Sequence, residues 1–250
     1  GITPGIFGKA SLKPPLITIE KDIFTDSIAV EFNLNIKDVD MFYTLDGTPP
    51  DSTATRYSDV FYISKSANIQ VVARKAGWET SEIAQKVAVR AAYVPQSAKL
   101  DHPPHDRYAG EGGASLIDFE KGTTDFTVGA WIGYEGEHFT ATLDMGTAVD
   151  IANVTVSTLE NTGAYIFFPQ EIAVSVSTNG TDFQALARQE IPTTREPEPP
   201  RLKNFMLRFD PQSVRYVRVA IKSNLQNPAW HSAPGAKCWV FVDEILVGEP

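Results

Sequence analysis

Residues 108–137 read YAGEGGASLIDFEKGTTDFTVGAWIGYEGE, with no helical or strand periodicity before Phe139. A segment this long without regular structure is either functional or disordered. Phe119, Phe126, Trp131 and Tyr134 argue against disorder, because disordered segments are poor in aromatics. What remains is an ordered loop held by its own oxygen ligands and aromatic plugs. Asp118, Glu120, Gly122 and Thr124 alternate along it, and Thr123 and Asp125 add further oxygens. Carboxylate, carbonyl and hydroxyl oxygens suit a hard cation such as calcium, not zinc.

C-terminal to this loop the chain is all strands. FTATLDM alternates from Phe139 to Met145, and IANVTVST, EIAVSVS, FMLRFD and YVRVAI follow. Asn179-Gly180 is a two-residue hairpin signal, and PEPP at 197–200 marks a surface loop. N-terminal to it, short runs recur at 16–19, 28–32, 41–44, 60–63, 69–74 and 87–90, separated by turn-rich pieces such as LDGTPPDST. Six short strands at this spacing predict an antiparallel, immunoglobulin-like sandwich. Asp46, before Gly47, reads as a turn acceptor rather than a catalytic acid. The Pro-rich stretch AYVPQSAKLDHPPHDRY at 92–108 reads as a connection. His102 and His105 within it are separated by two prolines and lack the further ligands a metal site needs.

The fold class is therefore all-β, with two sandwich domains. The boundaries are a linker at 1–13, a first domain at 14–92, a linker at 93–107 and a second domain at 108–250. The net charge of −9 is lopsided: residues 1–92 carry 10 basic and 11 acidic side chains, residues 93–250 carry 12 and 20. This balance predicts no basic face for nucleic acid or an anionic membrane. The acidic second half suits a divalent cation, and solubility alone also accounts for it. The single cysteine, Cys238, excludes an internal disulfide and sits in the apolar run AKCWVFV, which predicts burial. No apolar run approaches the length of a membrane span. The chain has neither a starting Met nor a signal peptide, and reads as a fragment whose targeting signal lies upstream.

GGASLIDFEKGTTDF at 112–126, WIGYEG at 131–136 and TATLDMG at 140–146 resemble the opening of a discoidin-type domain, the C-type domain of coagulation factors five and eight. FPQEIAVSVSTNGTDF at 168–183, VRYVRVAI at 214–221 and WVFVDEILV at 239–247 carry the same resemblance onward, so that it spans Tyr93 to Pro250. It implies a galactose-binding-like jelly roll; many bacterial members of this group are carbohydrate-binding modules. MFYTLDGTPPDSTATRY at 41–57 and SANIQVVARKAGWETS at 66–81 resemble the chitobiase or β-hexosaminidase C-terminal domain, a small sandwich appended to glycoside hydrolases. Together the resemblances imply a secreted, periplasmic or cell-surface bacterial protein with a further, catalytic or other, domain upstream.

The discoidin resemblance implies a structural calcium held by Asp118, the Thr123 hydroxyl, loop carbonyls and Glu244 of the last strand. Phe119 stands where the family has Gly after that Asp. Alternatively, Asp118 and Glu244 only accept backbone hydrogen bonds. Sugar sites pair an exposed aromatic platform with a few hydrogen-bonding groups. Three loops offer this: NTGAYIFFP with Tyr165 and Phe167, SNLQNPAWHSAPG with Trp230 and His231, and GYEGEHF with Tyr134, Glu135 and His138. The resemblance implies a core role for Trp131; Phe168, before Pro169, reads as core too, and Trp230 as either a platform or a plug of the sandwich end. No nucleophile elbow, phosphate loop or Cys–His pair appears. The reading is a non-catalytic, monomeric pair of spacer and glycan-binding modules. The alternatives are a structural or adhesive role, or part of a β-N-acetylhexosaminidase whose catalytic residues lie outside this chain.

Overall fold

The computed structural model describes residues 9–250. The chain divides into two units at Arg90/Ala91. The linker expected at 1–13 lies outside the described residues as far as residue 8. Beyond that it is pinned: Leu12 is buried, and the Ser11 hydroxyl donates to Glu79 at 2.8 Å.

The first unit holds strands β1 (Leu16–Thr18), β2 (Ile23–Phe24), β3 (Ile28–Asn33), β4 (Asp40–Thr44), β5 (Thr55–Arg56), β6 (Phe61–Ile63), β7 (Ala67–Arg74) and β8 (Ala84–Arg90). They form two sheets, β1-β3-β6 and β2-β8-β7-β4-β5. Alternation along β3 sends Ile28, Val30 and Phe32 inward, where they meet Ile69 and Val71 of the second sheet. That is the expected sandwich, with two differences. The two-residue strands β2 and β5 are too short to show alternation, and β2 runs parallel to β8. The turn after β4 forms as read: Asp46 accepts from the Thr48 amide at 3.0 Å, and Gly47 takes φ +81.

The second unit holds β9 (Ser97–Leu100), β10 (Ile132–Glu135), β11 (Phe139–Glu160), β12 (Glu171–Ser177), β13 (Gln184–Glu190), β14 (Arg201–Lys222) and β15 (Trp239–Gly248). The sheet order is β10-β15-β11-β14-β12-β13, with β9 paired to β11. Strands β11 and β14 each span stretches that the sequence shows as two separate runs. Register shifts between Asp144/Val149 and Ile151/Asn153 bend the pair, so each strand contributes one half to each layer. The layers close on a core that includes Leu143, Val217 and Val174 from one side and Val156, Val242 and Ile245 from the other.

Two expectations need correction. β9 lies in the stretch read as a linker at 93–107, yet it pairs with Ala141–Asp144 and belongs to the second unit. β10 lies inside the long loop, where Gly133 and Gly136 hide the alternation. Among the described residues, no helix is long and apolar enough to cross a membrane.

Candidate functional site

Strands β11, β12 and β14 end together, so the loops 161–170, 191–200 and 223–238 gather at one end of the second sandwich. Glu160, the last residue of β11, is fully buried and accepts from Arg201 Nε at 2.9 Å, from Arg201 Nη2 at 2.6 Å and from the Thr194 hydroxyl. The Thr162 hydroxyl and Glu198 backbone exchange two hydrogen bonds of 3.1 Å. Asn224, 5% exposed, donates to the Phe168 carbonyl and accepts from Gln170 and Thr193. The three loops are thus cross-tied at their bases.

On this frame sit the aromatic candidates. Asn161 caps a single 3-10 turn at Thr162–Ala164, and Tyr165 follows it at φ +66. A non-glycine residue in that region is uncommon and costs about 1–3 kcal/mol. Here the conformation is held by Tyr165 N donating to Thr162 O at 3.1 Å and Trp239 N donating to Tyr165 O at 2.7 Å. The Tyr165 ring meets His231 edge-on at 4.8 Å, and the His231 ring lies 5.7 Å from Trp230. Tyr165 and Trp230 therefore share one end of the sandwich, both half-buried and each beside the His231 ring. Trp230 spends its indole N–H on the Thr194 carbonyl at 3.0 Å, which leaves its ring for other contacts.

The other residues fall elsewhere. Phe167 is 1% exposed and stands behind Trp230 and His231, so it backs the rings and presents no face. His231 is 6% exposed with both ring nitrogens engaged: Nδ1 accepts from the Ala233 amide, which leaves the proton on Nε2 to donate to Thr162 O at 2.8 Å. It is a strut between loops rather than a free hydrogen-bonding group. Glu135 is half-buried opposite Trp239 across β10 and β15. His138 is exposed, accepts from the Ser223 amide at 3.0 Å, and lines a depression on the sheet face. Tyr134 is core, stacked on Phe139 at 4.4 Å. The sequence reading missed Trp239, which is half-buried and edge-on to Tyr108 at 5.2 Å and His105 at 5.0 Å. Its strand pattern had hidden it among core positions.

The oxygen-rich loop closes against β15. Val156 pairs with Ile245 and Thr158 with Val242, so Asp243 and Glu244 bulge opposite Ser157 alone. Asp243 accepts from the Gly122 amide at 2.7 Å. A Cβ at Gly122 would lie 2.3 Å from the buried Trp131 ring, so only glycine allows this approach. Glu244 is fully buried, and neither carboxylate oxygen has a well-formed donor. Burial above all, then the adjoining Asp118 carboxyl and Asp243, push its pKa up to about 9. Phe119 adopts φ +64, the conformation a glycine would take there. Asp118 is exposed, and the Thr123 hydroxyl accepts from the Asp125 amide at 3.2 Å within its own loop. Among the described residues, no group of three or more His, Cys, Asp or Glu side chains is placed to hold a metal. Of the expected ligands, the structure brings Asp118 and Glu244 side by side.

Two family models match the chain. The chitobiase/beta-hexosaminidase C-terminal domain matches residues 20–85, and the F5/8 type C domain matches residues 98–240. No curated protein matches in sequence. Among solved structures, the chain is similar to CpGH89CBM32-5 from Clostridium perfringens in complex with GalNAc-β-1,3-galactose. That match has 16% identity and a TM-score of 0.40, over 63% of this chain and 99% of that one. It is similar to the lectin domain of lectinolysin with Lewis B antigen, at 15% identity and TM-score 0.41 over 64% and 95%. A GH29 fucosidase variant from Ruminococcus gnavus in complex with fucose matches at 10% identity and TM-score 0.38, over 61% of this chain. The match spans about a quarter of the fucosidase, 24% of its length.

Proposed function

The chain belongs to the F5/8 type C domain family through residues 98–240, and we propose that its second unit is a glycan-binding module whose platform is the Tyr165–Trp230 end. The observation that carries this is the juxtaposition of two half-buried rings beside the buried His231 strut. Sugar rings present apolar faces that stack on such surfaces. The left-handed Tyr165 supports the same reading, since strain persists where the surroundings over-determine it, often at ligand sites. The first unit serves as a spacer. The pair is non-catalytic and monomeric, part of a larger secreted bacterial glycan-processing protein. A structural or adhesive role is favoured by one observation: Leu16 is 65% and Tyr62 72% exposed on the outward face of β1-β3-β6.

Calcium at the oxygen-rich loop is part of the proposal. The residues fit it: a buried glutamate without a donor, beside a second carboxylate, is a costly arrangement that a dication relieves. Asp118, Glu244 and loop carbonyls would hold the ion, with Thr123 at the rim. Its chemistry would be structural, fixing the loop to the bulged β15.

Glycan-array screening followed by titration of the best ligand tests the reading. Affinity should be millimolar to micromolar, roughly, because sugar hydroxyls return much of their hydrogen-bond gain in desolvation. Trp230→Ala and Tyr165→Ala should each abolish binding with the melting curve kept. Absence of any glycan ligand for the wild-type chain would favour the structural role.

A further inference from the structure

The outer face of the layer β9-β11-β14-β12 carries a second feature, away from the aromatic end. Alternation puts Lys99, Thr140, Thr142, Arg218, Ala220 and Lys222 on this face, opposite the core positions Ala141, Leu143, Val217 and Val219. Thr140 and Ala220 pair directly, so short side chains leave the middle of the face low. Two depressions result, of about 420 and 380 Å³, which share Asp101 and Thr140 at their junction. Each falls in the size range of small-ligand sites.

The charges on this face are unevenly satisfied. Its carboxylates have partners: Glu171 pairs with Arg188, Asp144 takes both Nε and Nη2 of Arg215, and Asp101 accepts from the Thr140 and His102 amides. Lys99, Lys222 and Arg218 have no carboxylate partner among the described residues. This occurs in a unit with an excess of acidic side chains. Arg218 is also pre-positioned. Its guanidinium carbon lies 3.4 Å from the Phe183 ring centroid, and Nε donates to the Thr142 hydroxyl at 3.3 Å. Its two terminal nitrogens are left as a fixed, unengaged fork, the geometry that recognises a carboxylate or sulfate.

We infer that this face is a second saccharide subsite, selective for an acidic sugar, with Arg218 and Lys99 binding its anionic group in one depression and the chain continuing over Thr140 past Lys222. The inference rests on the glycan reading of the unit but uses none of the residues of the aromatic end. The full chain is run on native gels containing polygalacturonate, dextran sulfate or neutral dextran. Retardation by either acidic polymer, absent with neutral dextran and diminished by added salt, is the expected result. Polygalacturonate alone would identify a carboxylate and dextran sulfate alone a sulfate.

Arg218→Gln should weaken the interaction about tenfold, the loss of a charge-assisted hydrogen-bonded pair. Arg218→Lys, which keeps the charge and loses the fork, should lie between. Arg208→Gln, an equal charge change far along the same strand, should leave it unaltered. Trp230→Ala should also leave retardation by acidic polymer intact, which separates this subsite from the aromatic end. The inference is overturned if neither acidic polymer retards the wild type, if Arg208→Gln costs as much as Arg218→Gln, or if single-stranded DNA retards the chain equally and with the same variant pattern.

Discussion

Arg201→Met should both destabilise the second unit and weaken its glycan binding, through one buried contact. Glu160 has no solvent exposure, and Arg201 donates to it through both Nε and Nη2. Removing the partner of a buried charge costs about 3–5 kcal/mol. The Arg201 side chain is 45% exposed, so water already shares its role, and Thr194 still donates to Glu160 after the change. About 2–3 kcal/mol is therefore expected, or roughly 4–12 °C in melting temperature for a domain of this size. The binding loss follows because Glu160, without Arg201, shifts toward water, and Thr194, tied to it through its hydroxyl, moves with it while holding Trp230 through its carbonyl. Calorimetry reads the first effect and glycan titration the second. The double variant Glu160→Gln/Arg201→Met leaves no buried charge and should recover at least half of the lost stability, since a neutral amide keeps the Thr194 hydrogen bond. A single variant that melts with the wild type, or a double variant no better than the single, would refute the reasoning.

Chelator should lower the melting transition of the second unit and spare that of the first, because a ligand bound only to the native state stabilises it by about 2.7 kcal/mol at a hundredfold excess over Kd. Asp118→Ala should reproduce the loss without chelator, and unchanged curves in both experiments would remove the cation. The side-chain hydrogen bond from Arg215 holds the Asp144 carboxyl below its ordinary range. A depressed folded value means stability that is present above the unfolded carboxylate value and lost as pH falls through the folded one. Arg215→Gln should thus lose stability near neutrality and converge with the wild type in acid. The loss should stay under about 1 kcal/mol because Arg215 is 40% exposed; a parallel offset at all pH values would contradict this. Burial pushes the Cys238 thiol up to about 11, so a thiol reagent at pH 8 should label it only on unfolding; rapid labelling of the native chain would show the segment before β15 opening.

Where side chains alternate over enough residues, the strands were legible. β3 and β7 announce themselves because their inward positions are apolar and a sandwich needs both faces distinguished. β2 and β5 did not, because two residues carry no period. β10 failed for another reason: Gly133 and Gly136 interrupt its pattern, and Gly133 has no side chain because the Phe241 ring lies 2.4 Å from where its Cβ would be. β9 was lost between flanking prolines, Pro95 before it and Pro103 and Pro104 after it, since a four-residue edge strand with Lys99 outward reads as a connector. The merger of separate runs into β11 and β14 follows from bulges, which sequence periodicity records as breaks.

At the candidate site, residue type was legible and orientation was not. Tyr165, Trp230 and His231 were drawn from their loops by type alone, and their meeting depends on Glu160, Thr162 and Asn224. None of those three bears a motif: Glu160 works through Arg201 and Thr194, distant in sequence, and Thr162 and Asn224 work partly through backbone carbonyls and amides that no sequence displays. Phe167 and Tyr165 look equivalent in NTGAYIFFP, yet the left-handed turn at Tyr165 separates their fates, one ring toward solvent and the next but one into the core. The same physics explains Phe119, where the chain pays about 1–2 kcal/mol for a turn glycine would make freely. A bulky residue kept there needs a compensating interaction, and the buried, donor-less Glu244 alongside Asp118 is where a dication would supply it. If so, Phe119→Gly should raise the stability of the calcium-free second unit and narrow the difference that chelator makes; a variant equally or less stable without calcium would show that the turn stores no strain.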